Sequence, residues 1–279
     1  MLTFTQKKSN PALRHYIHSY WLIEAGDKPE ILALVPDGYP EIFFTLQGSV
    51  QIFSGGKNWQ QYSAAGVIGQ VTNRFSFGMA AFSKVLFVKL YPWTPAALFR
   101  LPTWHLNNEA QEIAVLTNDP AFRLLTDQVY STENIDRSVA LLEAFFLKKL
   151  ASAAHESPFL QHAVRQIYAS NGAVCIDTLT QKIHASRRYV EILFKEKIGL
   201  TPKQYARLIR VKKATIMMLN PDFSGQLSSI ASSLNYYDQS HFLKDFKAVV
   251  QQTPTGFLQQ QLNFQLADVE SYLGQWDYS

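Results

Sequence analysis

Two groups of polar side chains in the last third of the chain have the chemistry needed to recognise the edges of DNA bases. Arginine can donate two hydrogen bonds to guanine, and glutamine can form two hydrogen bonds with adenine. Glutamate can accept a hydrogen bond from cytosine, and lysine can donate one to guanine or phosphate. A single polar helix face is usually only solvated, so the recurrence of the pattern is what favours a nucleic-acid partner. The first group comprises Ser186, Arg187, Arg188, Glu191 and Lys195, and the second comprises Gln239, Ser240, His241, Lys244 and Lys247.

A repeated pattern places both groups on equivalent helices. The stretch "FKEKIGLTPKQY" at residues 194–205 is echoed by "FKAVVQQTPTGF" at residues 246–257. In each copy a phenylalanine anchors the end of one helix and Thr-Pro begins the next, because threonine caps free N–H groups and proline fits the first helical position. Upstream of each copy lie a short helix, a tight break, and a second helix capped by Ser186 or Asp238. The pattern therefore predicts a helix-turn-helix arrangement twice.

A long helix is predicted between the two units, from Pro202 to Leu219. Its length of about 27 Å, at 1.5 Å per residue, is close to the roughly 34 Å of one turn of B-DNA. Two reading helices joined by it could enter successive major grooves. The helix also carries a basic run that is interpreted either as a phosphate-attracting surface or as a merely solvated one. This run consists of Arg207, Arg210, Lys212 and Lys213.

Residues 170–257 resemble the DNA-binding domain of the AraC-type transcription regulators, which has two helix-turn-helix units joined by a long helix. The segment "SLNYYDQSHFLKDFKAVVQQTPTGF" carries the more specific part of the family signature, and "LTQKIHASRRYVEILFKEKIGLTPKQY" matches nearly as well. On the matching positions the resemblance implies base-reading roles for six residues. These are Arg188 and Glu191 in the first unit, and Gln239, Ser240, His241 and Lys244 in the second.

The chain departs from the family pattern at several positions. Ile192 stands where an arginine is usual, which implies one base contact fewer in the first unit. His184 and Asn235 stand where turn glycines are usual, and both residue types tolerate a positive φ better than most. Two glutamines at 251–252 replace a Phe-Gly-like pair before the second Thr-Pro. None of these changes breaks the core pattern, so they bear on site specificity and affinity rather than on fold.

The first hundred residues have a β pattern, with short apolar or alternating runs separated by turn residues. The runs are "ILALVPDG", "EIFFTLQG", "SVQIFSGG", "QYSAAGVIG", "RFSFGM" and "KVLFVKLY". From about residue 109 the period is helical, and one apolar stripe predicts a core-facing helix. The stripe consists of Ile135, Val139, Leu142, Phe146 and Leu150. In the resembling family the front domain is commonly a β-rich, cupin-like half barrel followed by helices that can dimerise.

The predicted fold class is therefore α+β, with an N-terminal β-rich cupin-like half barrel and following helices, then an all-α domain. We expect a β-rich effector-sensing domain at 1–106, a helical linker or dimerisation segment at 107–158, the DNA-binding domain at 159–257 and a tail at 258–279. Charge agrees with this division: residues 1–158 carry 13 Lys+Arg against 13 Asp+Glu, and residues 159–257 carry 13 against 6. A basic block of this kind suits a polyanion.

A small-molecule site is predicted in the front domain from its dense aromatic residues and few polar groups. The alternative interpretation is an ordinary β core rich in aromatic residues, with "PDG" at 36–38 as a simple turn. The sequence does not identify the effector. The candidate ligand-binding residues are Tyr20, Trp21, Asp37, Tyr39, Glu41 and Phe43.

The sequence offers no catalytic pattern. It contains no Ser-His-Asp, Cys-His or Gly-rich phosphate motif, and His15, His18 and His105 lack the clustering on neighbouring strands that a metal-dependent cupin needs. We therefore expect no enzyme activity, no metal and no cofactor. Two alternatives stay open: a non-catalytic sensor or interaction protein that binds DNA weakly, and a cupin-like enzyme fused to a DNA-binding domain.

Expected partners are double-stranded DNA, a small-molecule effector, a second copy of the chain, and RNA polymerase if the protein is an activator.

No apolar run approaches the roughly 20 residues of a membrane span, and the start "MLTFTQKKSN" has no apolar core of the signal-peptide kind. The single cysteine, Cys175, excludes an internal disulfide and is expected to be a small buried hydrophobe. We therefore expect a cytoplasmic protein.

Overall fold

The computed structural model describes residues 1–54, 58–62, 64–73, 75–132, 134–151, 158–182, 185–220, 222–223 and 225–261. Strands dominate up to about residue 90 and helices follow, so the predicted α+β class is confirmed. The division into four segments stays a prediction. Residues 152–157 of the predicted linker and residues 262–279 of the predicted tail lie outside the described residues.

The strands of the described chain form two antiparallel sheets. A six-stranded sheet has the order β1-β2-β9-β4-β7-β10, and a four-stranded sheet has the order β3-β8-β5-β6. The runs predicted as strands from residue 30 onward are confirmed. The strands are β1 (Leu2–Lys8), β2 (Ile17–Ala25), β3 (Glu30–Leu34), β4 (Glu41–Gln47), β5 (Val50–Phe53), β6 (Gln60–Tyr62), β7 (Ala65–Ile68), β8 (Phe75–Met79), β9 (Lys84–Leu90) and β10 (Ala110–Glu112).

The six-stranded sheet is covered on both faces. Tyr20 and Trp21 are neighbours on β2 and point to opposite faces, yet neither is more than 1% exposed. Trp21 packs with Phe77 between the two sheets, whereas Tyr20 belongs to a second core with Phe146 of a later helix. A strand buried on both faces lacks apolar–polar alternation. The β runs recognised in the sequence therefore begin only at "ILALVPDG" and miss β2, which carries His18.

Helices make up most of the chain after β9. The helices are α1 (Thr94–Phe99), α2 (Ile113–Thr117), α3 (Pro120–Tyr130), α4 (Ile135–Ala151), α5 (Pro158–Ala169), α6 (Ile176–Lys182), α7 (Arg187–Lys197), α8 (Pro202–Leu219), α9 (Leu227–Ser233), α10 (Gln239–Val250) and α11 (Pro254–Gln261), with short 3-10 helices at Pro11–Leu13 and Thr103–Leu106. In the part of the chain that is described, none of these helices has the length and apolar character needed to cross a bilayer.

The predicted apolar stripe is the buried face of α4. Val139, Leu142, Phe146 and Leu150 are buried there, and Ile135 packs against the same core at its edge. This core also contains Tyr20 and lies between the helices and the six-stranded sheet. The interpretation of the stripe as a core face is confirmed.

The helices from α5 onward form two cores that share α8. Tyr205 and Leu208, from the first half of α8, pack with Phe194 of α7. Met218, from the second half, packs with Phe246 of α10. Both phenylalanines are 0% exposed, so the two residues that open the repeated sequence pattern do anchor equivalent helices.

Cys175 is exposed, so its expected burial is wrong. The residue lies in the short connection between α5 and α6, one position before α6 begins, and it belongs to none of the hydrophobic cores formed by the described residues. An apolar sequence neighbourhood alone did not show that this connection reaches the surface.

Candidate DNA interface

The first unit consists of α6 and α7. Ser186 caps α7, because its side chain accepts a hydrogen bond from the Tyr189 backbone N–H at 3.2 Å. Val190 and Phe194 face inward with 0% exposure. After α7, Gly199 has φ +91°, and a Cβ there would lie 2.4 Å from an Asn107 side-chain oxygen, so this position requires glycine. The predicted turn residue His184 lies outside the described residues.

The second unit, α9 and α10, repeats this construction. The Asp238 carboxylate accepts a hydrogen bond from the His241 backbone N–H at 2.7 Å and caps α10. In the break before it, Asn235 has φ +55°, which confirms that asparagine takes the left-handed position where the family commonly has glycine. Phe242 and Phe246 form the inward face. The predicted helix starts at Ser186, at Asp238 and at both Thr-Pro pairs are confirmed.

The connecting helix α8 is the frame on which both units are built. A reciprocal capping box fixes its first turn: the Gln204 backbone N–H donates to the Thr201 hydroxyl at 3.2 Å, and the Thr201 N–H donates to the Gln204 side-chain oxygen at 2.9 Å. One half of α8 packs in each core. The separation of α7 and α10 is therefore set by one continuous helix of 18 residues.

The outer face of α7 presents all five residues of the first polar group to solvent. Arg187 donates to Glu191 at 3.1 Å, and its guanidinium lies 3.5 Å from the Asp177 carboxylate, so these three residues form a charge cluster along the helix. Arg188 and Lys195 form no ion pair with any residue that the structure describes. They are the cations of this face that are free to meet a phosphate or a base.

The outer face of α10 likewise presents the whole second group to solvent. The His241 ring nitrogen lies 3.9 Å from the Asp245 carboxylate, and its ring meets the Tyr236 ring at a centroid distance of 5.3 Å. Asp245 also pairs with Arg207 of α8 at 3.0 Å. Gln239 and Lys244, at the beginning and middle of the helix, are left as hydrogen-bonding side chains that point to solvent.

The basic run of α8 does not form the phosphate-attracting or solvated surface that the sequence suggested. Arg207 pairs with Asp245, and Arg210 donates to the Gly172 carbonyl at 2.7 Å. Lys212 is only 1% exposed. At least three of the four cations therefore hold the protein together, because α8 is packed on most of its circumference.

Family models match both parts of the chain. One described as "Helix-turn-helix domain" matches residues 179–260, which include both units and α8, and one described as "Domain of unknown function (DUF6597)" matches residues 6–112. The C-terminal region is an AraC-type DNA-binding domain. The resemblance found in the sequence is therefore confirmed for this domain.

The chain is also similar to individual proteins. The Msm operon regulatory protein of Streptococcus mutans serotype c is 26% identical over 120 residues, which span 42% of this chain and 42% of that protein. Among solved structures, ToxT from Vibrio cholerae has a TM-score of 0.44 at 12% identity, covering 92% of this chain and 97% of that one. The C-terminal domain of AraT from Geobacillus stearothermophilus has a TM-score of 0.36 at 18% identity, covering 45% and 94%.

The AraC-type domain contacts the front domain through a buried charge cluster. The loop between β3 and β4 carries Asp37, whose carboxylate lies 2.5 Å from the Lys89 ammonium group of β9, and the side chain of that lysine is 2% exposed. Lys212 of α8 enters the same cluster, with its ammonium group 5.6 Å from the centre of the Tyr39 ring. Charges from both parts of the chain are thus buried together.

The cluster alters the titration of its members. Burial, together with the positive charges of Lys89 and Lys212, lowers the pKa of His18 to about 3, so this histidine is neutral at pH 7. Burial alone would raise the pKa of Asp37, but the two lysines outweigh burial and hold that pKa below its usual value. Burial lowers the pKa of Lys212 well below its usual value, against the attraction of Asp37.

The same loop and a second segment fasten the front domain to the AraC-type domain. Gly38 has φ +84°, and a Cβ there would lie 2.7 Å from the Tyr168 hydroxyl and 2.9 Å from Ile209, so α5 and α8 approach its backbone closely. Near the end of α7, the Thr103 hydroxyl donates to the Glu196 carbonyl at 3.1 Å, and Asn107 donates to the Gly199 carbonyl. The front domain therefore contacts the first unit directly.

The six candidate ligand residues do not lie in one place. Trp21 and Phe43 are between the two sheets, Tyr20 is in the core beneath the helices, and Tyr39 packs with the AraC-type domain. Asp37 pairs with Lys89, and Glu41 is the cross-strand neighbour of the same lysine. Their ligand roles stay predictions.

Among the described residues, no three His, Cys, Asp or Glu side chains are grouped so that they could hold a metal ion.

Replacing Gln251 by glycine is predicted to stabilise the protein. Gln251 ends α10 with φ +59°, a conformation that costs a non-glycine residue about 1 kcal/mol. We expect Gln251→Gly to raise the free energy of unfolding in urea by up to this amount. The exposed α10 position Ala248→Gly is the control and should lower it by about 1 kcal/mol. A loss of stability in Gln251→Gly would contradict the assigned backbone strain.

Proposed function

We propose that the protein is a sequence-specific regulator of transcription that reads DNA with α7 and α10. The observation that carries the proposal is the packing of these two capped, polar-faced helices against opposite halves of α8. The 18 residues of α8 span about 27 Å. This length suits the entry of both helices into successive major grooves on one side of the duplex.

In this proposal the exposed residues have distinct roles. Arg188 and Gln239 read base edges, because each is exposed and has the donors that guanine or adenine requires. Glu191 acts together with Arg187, to which it is bonded, and Lys244 reads a base or meets phosphate. Other members of the two groups, which lie along the same faces, position the domain on the backbone. These are Ser186, Lys195 and Lys247, whereas Ser240 and His241 read base edges, as the resemblance implies.

The front domain is proposed to be the regulatory part, which senses a small molecule or mediates pairing with a second copy of the chain. Its contacts support this role, because Asp37 meets α8 through the buried cluster and the Thr103 hydroxyl donates to the Glu196 carbonyl near the end of α7. A ligand that shifts either contact would change the placement of the first reading helix. We propose a non-catalytic, cytoplasmic protein that works without a cofactor and contacts RNA polymerase if it is an activator.

Selection of bound duplexes from a random pool, at one defined salt concentration, tests the DNA-reading proposal. The full-length chain should enrich a site of about 17–20 base pairs with two elements one helical turn apart. Failure to enrich any sequence over competitor DNA would overturn sequence-specific reading and favour the alternative of a weakly binding interaction protein. Binding should weaken steeply with salt, because phosphate contacts release counterions.

Two alanine substitutions give the residue-level prediction. Arg188→Ala and Gln239→Ala should each cost about 1–3 kcal/mol of binding free energy at a few base positions and relax selectivity there. Binding curves against single-base variants of the enriched site measure this pattern. Arg123→Ala, at an exposed position on α3, is the matched control and should leave binding unchanged. Equal losses of binding free energy on every sequence would show instead that the substituted side chain contacts phosphate.

A further inference from the structure

An apolar residue, Ile192, occupies the middle of the exposed side of α7. At about 100° per residue, the inward-facing Val190 and Phe194 define one side of the helix, and Arg188 and Ile192 lie on the opposite side. Ile192 is 47% exposed, and it belongs to none of the hydrophobic cores of the described chain. Its side chain therefore contributes little to the packing of the first unit.

The neighbours of Ile192 on the exposed side of α7 are positively charged, as on a surface that binds a polyanion. Arg188 lies one turn before it and Lys195 one turn after it, and both are exposed without an ion pair to a described residue. A β-branched side chain also has a lower helix propensity than Lys, Arg or Glu. Neither helix formation nor core packing accounts for isoleucine at this position, whereas contact with a partner does.

The major groove offers such a side chain one kind of apolar target. Guanine, cytosine and adenine are distinguished there by their donors and acceptors, and thymine is the base that adds a methyl group, at C5. We propose that Ile192 selects a thymine in the half-site read by α7, by packing against that methyl group. This inference rests on the proposed function of α7 as a reading helix.

Arg188 and Ile192 together predict a short element of the site. Four residues along a helix span about 6 Å, and successive bases on one strand rise about 3.4 Å. The guanine that suits Arg188 and the thymine that suits Ile192 should therefore lie within about two base steps. Glu191, bonded to Arg187 beside them, adds no apolar contact.

Replacing thymine by deoxyuridine in the enriched duplex tests the inference, because it removes only the methyl group and keeps the base pair. At one position of the α7 half-site, the full-length chain should bind the deoxyuridine duplex about fourfold more weakly, the factor expected for one buried methyl group. Ile192→Ala should bind the two duplexes equally. Ile192→Arg should shift the preference at that position from thymine to guanine.

Ile31→Ala, at an exposed isoleucine of β3, is the matched control and should keep the fourfold difference. Ile192→Ala should bind the deoxyuridine duplex as well as the unchanged chain does, which shows that the variant is folded. Equal binding of thymine and deoxyuridine by the unchanged chain at every position, or a difference that persists in Ile192→Ala, would overturn the inference alone. A selection that enriches no site would instead remove the proposed function, and this inference with it.

Discussion

Asp37→Ala is expected to lower the free energy of unfolding by about 3–5 kcal/mol, because it removes one partner of a buried ion pair. The Lys89 side chain is 2% exposed and would be left with its charge out of water. Lys212 would lose the attraction of the same carboxylate. The loss should also loosen the contact between the loop that carries Asp37 and α8.

Urea denaturation of the full chain at pH 7 measures this loss. Asp136→Ala is the matched control, because Asp136 pairs with Lys7 at 2.7 Å but both side chains are well exposed, at 70% and 39%. An exposed pair of this kind contributes at most about 1 kcal/mol. Similar losses in the two variants would show that the Asp37 pair is not effectively buried.

The change in the free energy of unfolding at acid pH provides a second test of the Asp37 ion pair. The pKa of Asp37 is lowered in the folded protein, so the folded state holds its proton less tightly than the unfolded state. Stability from this group is therefore fully present above the unfolded pKa of about 3.9 and is lost as the pH falls through the folded pKa. Asp37→Ala should lack this acid-sensitive component, whereas Asp136→Ala should keep it.

The sequence predicted those features that depend on local spacing. The caps at Ser186 and Asp238, the Thr-Pro helix starts and the anchors Phe194 and Phe246 each involve residues within about a dozen positions of one another. Hydrogen bonds and burial in the structure confirm them. Capping and helical periodicity are short-range effects, so a single sequence is enough to show them.

The sequence could not show which charges and aromatic rings meet across long distances. Lys212 belongs to the same basic run of α8 as Arg207 and Arg210, and docking of the β3–β4 loop on α8 places it in a buried cluster. Tyr20 and Trp21 similarly fall into different cores although both are aromatic and adjacent. Residue type and spacing identified the dense aromatic content, whereas sheet packing decided which rings could meet one ligand.

Phe246→Ala is expected to lower the free energy of unfolding by about 3–5 kcal/mol and to destabilise mainly the second unit. Phe246 is 0% exposed and packs with Phe242, Phe257 and Met218. Its core is distinct from the one that holds Phe194, although both use α8. Hydrogen exchange should therefore show lost protection in α9, α10 and α11 first, while α5 and α7 keep theirs.

Phe194→Ala is the matched variant, because the two phenylalanines occupy equivalent places in the repeated pattern. The core of Phe194 also includes Tyr39, Tyr91 and Trp93 from the front domain, so its loss should spread into that domain. Phe246→Ala should keep selectivity for the half-site of α7 and lose it for the half-site of α10. Equal loss of protection in both units would show instead that α8 makes them one cooperative unit, in which neither reading helix can unfold alone.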